Sequence, residues 1–366
     1  MSGLRDPILW CTALLASSLL CLGVFESVRW IDRPSAGFLL LGNRVVASAG
    51  LARWPALSAG DLYQKEVVAI DGVELERARD LQTRIEGLPV GSAVTYTLRE
   101  GTILSTRVIE TRRFDRVDFT LLFLAYIING FFFFSAALLI RHLRPLDPMA
   151  QGAFAFLLSV AAFSTTATDL YGPHRIFRLH ALAETFLFAG TLHMALVFPY
   201  PIAPLKRTRS LIALPYAVST LLALLNQITL MQPSSYRLTH HAAEGLFGLA
   251  LIVLIGRQVF SFFRPENFES RQRVRIVVLG AVAALSPFVM LTLFSAALGG
   301  RAPQNLMAMT GFIFPVSIAY ATLRHNLFEI DEFIRRSPNY ALLSIAVTVA
   351  YVGVVSGFEA TFKVAL

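Results

Sequence analysis

The sequence predicts a mainly α polytopic membrane protein, with about nine transmembrane helices and one extracytoplasmic α/β domain. Three observations support this fold class. The chain of 366 residues has a mean hydropathy of +0.60, and only 15% of its residues are charged. Apolar runs of about 20 residues, the length that crosses a hydrocarbon core as a helix, recur along most of the chain. One polar, turn-rich segment, residues 32–116, interrupts these runs after the first.

The first apolar run, residues 8–28, follows a short head that contains Arg5. No small-x-small cleavage site follows this run, so we predict an uncleaved signal-anchor helix over residues 1–31; a removed signal peptide is the alternative. Cys11 and Cys21 both lie in the run, which leaves neither a disulfide framework nor a CxxC metal site.

Residues 32–116 have the pattern of a small folded domain. Short β-branched runs, "EVVAI" and "AVTYTL", alternate there with the turn signals "DG", "PVG" and "EG". The segment is therefore predicted to fold as an α/β domain between the first membrane helix and the rest.

Apolar runs return after this domain, each long enough to cross a bilayer as a helix. They cover residues 119–140, 150–170, 181–200, 211–231, 242–262, 275–298, 306–323 and 340–360. We group them into a seven-helix transmembrane block over 117–323, a cytoplasmic amphipathic connector over 324–339, and a last helix with a short tail over 340–366.

The basic residues between these runs predict the orientation of the chain. In the connections between the later runs, one side has Arg141, Arg144, Lys206, Arg207, Arg209, Arg264, Arg271, Arg273, Arg275, Arg324, Arg335 and Arg336, and the other has Arg175, Arg178, Arg237 and Arg301; Arg29 and Arg33 add to the poorer side but do not reverse the difference. The positive-inside rule places the richer side in the cytoplasm and residues 32–116 outside it. The formal net charge of +8 thus reflects membrane topology, and we expect no nucleic-acid partner.

The α/β segment resembles a bacterial PDZ domain. The order of elements matches that family, as do Ala59, Gly60, Val67, Ile70, Asp71 and Gly72. The resemblance implies binding of an extended peptide or protein C-terminus by strand addition. Its loop and strand would be "SAGFLLLG", with Gly37, Phe38, Leu39 and Leu40 as the peptide-binding residues. A spacer or dimer contact that binds no peptide is the alternative.

One departure from the PDZ pattern concerns the turn before the strand "EVVAI". The family usually has Gly-Asp there, whereas this chain has Gln64 and Lys65. A glycine adopts the left-handed backbone conformation without strain, so the sequence leaves the conformation of this turn open.

The membrane block resembles the sensor region of bacterial membrane histidine kinases. Two motifs support this: "HMALVFP", which begins at His193, and "LFEIDEFIRR", residues 327–336. The resemblance implies a homodimer in the bacterial inner membrane that signals to a cytoplasmic kinase domain in cis or in trans. Because the chain contains no acceptor-histidine segment, glycine-rich phosphate loop or protease motif, we expect no enzyme activity of the chain as given.

The connector alternates charged and apolar side chains, which favours a helix lying at the lipid headgroups. Phe328, Asp331, Arg335 and Arg336 are its candidate functional residues. A simple positive-inside loop is the alternative.

Ionisable groups within the membrane runs suggest a sensing site. His180 and Glu184 are spaced i, i+4 at the outer start of one helix, with Tyr171 before them and His193 deeper in the same helix. The alternative places His180 and Glu184 in water at the interface, while His193 bonds to a neighbouring helix.

A second outer cluster contains His240, His241 and Glu244. It could hold zinc only with ligands from elsewhere in the chain, so interfacial capping is the simpler interpretation and we expect no metal and no cofactor. Two functions remain open: a membrane-embedded signal-sensing module, and a non-catalytic scaffold or receptor that recruits extracytoplasmic peptides.

Overall fold

The computed structural model describes residues 7–48, 53–172, 174–265, 268–297 and 310–323. Most of these residues are helical. The connector with Phe328, Asp331, Arg335 and Arg336, and the predicted last helix, lie outside the described residues.

Twelve α-helices occur in the described residues. They are α1 (Pro7–Val28), α2 (Pro55–Ser58), α3 (Ala78–Glu86), α4 (Arg116–Phe119), α5 (Ala125–Leu143), α6 (Pro148–Thr166), α7 (Phe177–Val197), α8 (Ala203–Arg207), α9 (Ala213–Thr229), α10 (Pro233–Phe263), α11 (Phe268–Ala297) and α12 (Ile313–Leu323). A π-helical turn, Thr120–Leu124, joins α4 to α5 without a break.

Six helical segments are long and apolar enough to cross a membrane, which is consistent with a polytopic membrane protein. They are Pro7–Val28, Arg116–Leu143, Pro148–Asp169, Phe177–Val197, Ser210–Thr229 and Pro233–Phe263. Each overlaps one of the first six predicted runs. The helix α11 overlaps the seventh run and the shorter α12 the eighth, so the count of nine crossings stays a prediction.

Small residues allow α5, α6 and α7 to pack closely. A Cβ atom on Gly190 of α7 would lie 2.8 Å from the carbonyl oxygen of Ala155 in α6. A Cβ on Gly130 of α5 would lie 2.7 Å from Oγ1 of Thr165, again in α6. In a bilayer, helix association depends on such close packing because lipid tails are as apolar as the side chains.

Between α1 and α4 the chain forms the predicted α/β unit. Its strands are β1 (Pro34–Ser35), β2 (Leu39–Leu40), β3 (Val46–Ser48), β4 (Glu66–Ile70), β5 (Val73–Glu74), β6 (Ala93–Glu100), β7 (Ile103–Glu110) and β8 (Arg112–Arg113). The main sheet has the order β5-β4-β6-β7 and is antiparallel, while β2 pairs with β3 and β1 with β8.

The core of this unit lies between the sheet and α3. The apolar residues of α3 at i, i+3 and i+7, namely Ala78, Leu81 and Ile85, are buried against strand residues such as Val67 and Tyr96. This spacing places all three on one face of the helix, so the helix covers the sheet with a single apolar stripe.

Two turns of the α/β unit contain residues with positive φ. The "DG" signal between β4 and β5 forms a two-residue turn in which Asp71 and Gly72 both have positive φ, as a type I′ hairpin requires. Gln64 adopts φ 60°, the left-handed conformation for which the PDZ pattern uses glycine. The chain therefore forms a left-handed turn at Gln64, although a side chain adds strain in this conformation.

Candidate functional site

A buried carboxylate, Asp118, joins the α/β unit to the membrane helices. Asp118 is completely buried and accepts hydrogen bonds from Arg53 (2.6 Å) and from the Trp54 indole N–H (2.9 Å). Arg112 forms a second ion pair with it at 2.7 Å. Because two arginines and an indole from the α/β unit converge on one helix residue, the unit is fixed to the start of this membrane segment.

The same residue takes part in the start of α4. The side chains of Asp115 and Asp118 accept hydrogen bonds from each other's backbone amides, a reciprocal capping arrangement. Burial alone would raise the pKa of Asp115, but the hydrogen bonds from the Asp118 amide and from Arg53 outweigh it, so this pKa lies below its ordinary value. Asp115 therefore stays ionised beside the arginines.

An aromatic cluster surrounds this junction. Phe114 contacts Trp30 edge-on at a ring distance of 5.3 Å and Phe123 at 5.9 Å. Leu39 of β2 and Trp54 belong to the same buried cluster. Aromatic ring contacts of this kind stabilise a fold beyond the effect of the apolar area that they bury. Apolar contacts therefore hold the junction together as well as ion pairs.

The turn between β2 and β3 makes a second contact between the α/β unit and the membrane helices. Leu41 and Val45 of this turn pack on Phe177 and Ala181 of α7 and on Tyr236 of α10. The Asn43 side-chain amide donates a buried hydrogen bond of 3.1 Å to the carbonyl oxygen of Leu230. The hairpin, residues 39–48, thus contacts the N-terminal parts of both helices.

The segment between α6 and α7 packs beside this turn. Arg175 lies 2.8 Å from the buried carboxylate of Glu26 at the end of α1, and Asp169 accepts a 2.7 Å hydrogen bond from the Ile176 amide. Burial lowers the pKa of His174 to about 4, with a hydrogen bond to Leu170 partly opposing it. Tyr171, a predicted sensing residue, lies in this segment, and burial raises its pKa.

His180 and Glu184 share a face of α7, as their spacing predicts. Both are buried, at 4% and 6% exposure, and do not lie in water at the interface. The Nδ1 atom of His180 lies 3.0 Å from the Thr166 hydroxyl of α6. Glu184 Oε1 lies 2.7 Å from Nδ1 of His240 in α10, so the two histidine clusters, which are far apart in sequence, form one site.

Three further contacts complete this site. Tyr236 stacks on the His240 ring, with centroids 5.5 Å apart and ring planes 17° from parallel. Glu244 lies 3.4 Å from Nε2 of His240 and 3.1 Å from Nδ1 of His241. Ligand atoms of His240, His241 and Glu244 all lie within 4.8 Å of one another, so these residues could hold a metal ion.

His193 belongs to a different contact. Its Nδ1 atom lies 2.9 Å from the Tyr216 hydroxyl of α9. This is the bond to a neighbouring helix that the alternative interpretation of the sequence describes. The structure therefore brings His180, Glu184 and His240 together and leaves His193 more than two turns further along α7.

The predicted peptide-binding residues occupy β2 and the loop before it. Gly37 has φ +76°, a conformation that favours glycine. Phe38 and Leu40 are buried in the core of the α/β unit, and Leu39 is buried in the junction cluster. These side chains thus join the domain interior to the membrane helices.

Comparisons of the chain with protein-family models, with curated proteins and with solved structures found no match in any of the three. The functional assignment therefore depends on the residues and contacts described above.

Sequence reasoning missed Asp118, Arg53, Arg112 and Asn43. The one available signal was the spacing of Asp115 and Asp118 before an apolar run, which resembles a helix-capping pattern. Their partners lie as far as 187 residues away, as for Asn43 and Leu230, and no local pattern predicts such a contact.

Proposed function

We propose that this chain is a membrane-embedded signal-sensing module, resembling the input half of a two-component sensor histidine kinase. The observation that carries the proposal is the hairpin of residues 39–48. Its strand β2 is the candidate peptide-binding strand, and its turn packs on the helices that hold Glu184 and His240. A change at the α/β unit would thereby reach an ionisable site within the helices.

The proposed mechanism is a shift between two packings of α7 against α10. A ligand shifts such an equilibrium only by the difference between its affinities for the two states. Binding at the outer mouth would do so by strengthening or separating the Glu184–His240 pair, because this pair joins the two helices at 2.7 Å. The junction at Asp118 would keep the α/β unit in place during the change.

The partners follow from the same proposal. The chain would act as a homodimer in the bacterial inner membrane, with the PDZ-like unit on the extracytoplasmic side. A kinase domain, in cis or in trans, would receive the signal through the connector residues 324–339. The lipid bilayer would be the other contact of that connector.

The proposal is tested by transcript profiles of cells with altered versions of the native chromosomal locus. Deletion should change a defined set of transcripts, because two-component systems act through transcription. Glu184→Gln should alter the same set while the protein still inserts in the membrane, and Glu74→Gln, an exposed residue of β5, should behave as wild type. A deletion that changes no transcript would contradict a signalling function.

A scaffold that recruits peptides is the second candidate, and one observation favours it. Within the part of the chain that the structure describes, β2 pairs only with β3, so its other edge has no strand partner. Against it stands the burial of Phe38, Leu39 and Leu40, at 5%, 2% and 3% exposure. These exposures include the backbone, so a peptide could add to β2 only after the parts of the chain that cover this strand move away.

Fluorescence anisotropy separates the two candidates. The full chain in nanodiscs is titrated with a labelled peptide library that carries free C-terminal carboxylates, and with the same peptides amidated. A PDZ-type scaffold should bind only the peptides with free carboxylates. In that case cells with the Glu184→Gln variant should have wild-type transcripts. Equal or absent binding of both sets removes this candidate.

A further inference from the structure

We infer that His240, His241 and Glu244 bind a divalent transition-metal ion of the zinc type at the outer end of α10, with Glu184 of α7 orienting His240. The inference deepens the proposed function, on which its signalling role rests, because it names the chemical class of the ligand. The binding itself can be tested without any signalling.

The spacing on α10 places the three side chains together. Glu244 follows His240 by four residues and His241 by three, so it lies one turn away from both on the helix surface. The order of these residues, HHxxE, differs from that of the HExxH zinc motif, and the sequence alone supplies no residue from another helix. The folded chain supplies Glu184.

The distances fit a small metal ion. Zinc binds histidine nitrogen and carboxylate oxygen at about 2.0–2.2 Å, so tetrahedral ligand atoms lie about 3.3 Å apart. Glu244 Oε1 lies 3.4 Å from Nε2 of His240, and Glu244 Oε2 lies 3.1 Å from Nδ1 of His241. The ligand atoms of all three residues lie within 4.8 Å of one another, so the side chains must still move closer together to share one ion.

Glu184 supplies an independent observation. Metal-binding histidines commonly donate their second ring N–H to a carboxylate, which fixes the tautomer and strengthens the ligand nitrogen. Glu184 Oε1 lies 2.7 Å from Nδ1 of His240 and its side chain is only 7% exposed, so the carboxylate contacts this nitrogen, although the present ring orientation gives no aligned hydrogen bond. An ion bound to Nε2 of His240, on the side of Glu244, would leave the ring proton on Nδ1 beside Glu184.

The site is open to the exterior. The side chains of His241 and Glu244 are 52% and 56% exposed, while that of His240 is 29% exposed. Three protein ligands leave a fourth position for water or an external ligand. Because the orienting carboxylate is on α7 and the ligands are on α10, a bound ion would hold the two helices in one packing.

The test is a Co²⁺ titration of the full chain in nanodiscs, without a histidine tag, followed by visible absorption and by competition with Zn²⁺. We expect one ion per chain. His241→Ala and Glu244→Gln should each weaken binding by about 100-fold or more, and Glu184→Gln by about 10- to 100-fold with the stoichiometry kept. His142→Ala, at the other end of the bundle, is the matched control and should bind as wild type.

Thermal unfolding of each variant shows whether it has folded, and His241 and Glu244 are exposed enough to be replaced without loss of the fold. Wild-type affinity in both His241→Ala and Glu244→Gln, or no binding by the wild type, would overturn the inference. If the metal site fails while Glu184→Gln still changes transcripts, sensing stands with another ligand. If metal binds and deletion changes no transcript, only the signalling proposal fails.

Discussion

Asp118 is the residue on which the junction between the α/β unit and the membrane helices depends most. It is completely buried, forms ion pairs with Arg53 and Arg112, and accepts a hydrogen bond from the Trp54 indole. A buried charge is stable only when it is paired, so its partners and its charge depend on each other. Arg53 and Trp54 cannot be inferred as its partners from the sequence, because pairs 65 and 64 residues apart leave no periodic signal.

Asp118→Asn should destabilise the protein by about 3 kcal/mol, because it leaves two arginines beside an uncharged amide. The measurement is the unfolding transition of the chain in nanodiscs, followed by tryptophan fluorescence. The control is Asp61→Asn, since Asp61 is 73% exposed and pairs with Lys65 at 3.5 Å. An exposed pair of this kind contributes less than about 1 kcal/mol. Equal shifts in the two variants would contradict the role of Asp118.

At the scale of elements, the sequence predicts the helices and turns that depend on a local pattern of residues. Six apolar runs are spanning-length helices, and the "DG" signal is a two-residue hairpin turn. The pairing of elements is less predictable. The contact between α7 and α10 depends on tertiary packing, so His180 with Glu184 and His240 with Glu244 read as two separate clusters in the sequence.

Close packing of α6 and α7 is tested by Gly190→Leu. The added side chain has no room, since its Cβ would lie 2.5 Å from Oγ of Ser159 and 2.8 Å from the Ala155 carbonyl oxygen. Overpacking of this kind costs about 1–3 kcal/mol. Gly245→Leu on α10 is the matched control, because its Cβ would meet no atom within 4 Å. Detergent resistance should fall for Gly190→Leu only, and an equal loss in both would refute tight packing at Gly190.

At the scale of the whole molecule, the α/β unit contacts the helices at the same end of the bundle as the start of α7. Two contacts join them: the junction around Asp118, and the turn of the 39–48 hairpin on α7 and α10. The second contact lies next to the Glu184–His240 pair through Tyr236, which stacks on His240. The central claim is therefore that the hairpin and this pair are coupled.

Hydrogen exchange of the full chain in nanodiscs tests this coupling most directly, in wild type, Gly42→Ala and Gly87→Ala. A Cβ on Gly42 would lie 2.5 Å from Cδ1 of Phe177, whereas a Cβ on Gly87 would meet only the Arg84 carbonyl oxygen, at 3.5 Å. Gly42→Ala should raise amide exchange over residues 177–184 and 233–244, and Gly87→Ala should leave both segments as in wild type. Unchanged exchange of these segments in Gly42→Ala would contradict the coupling.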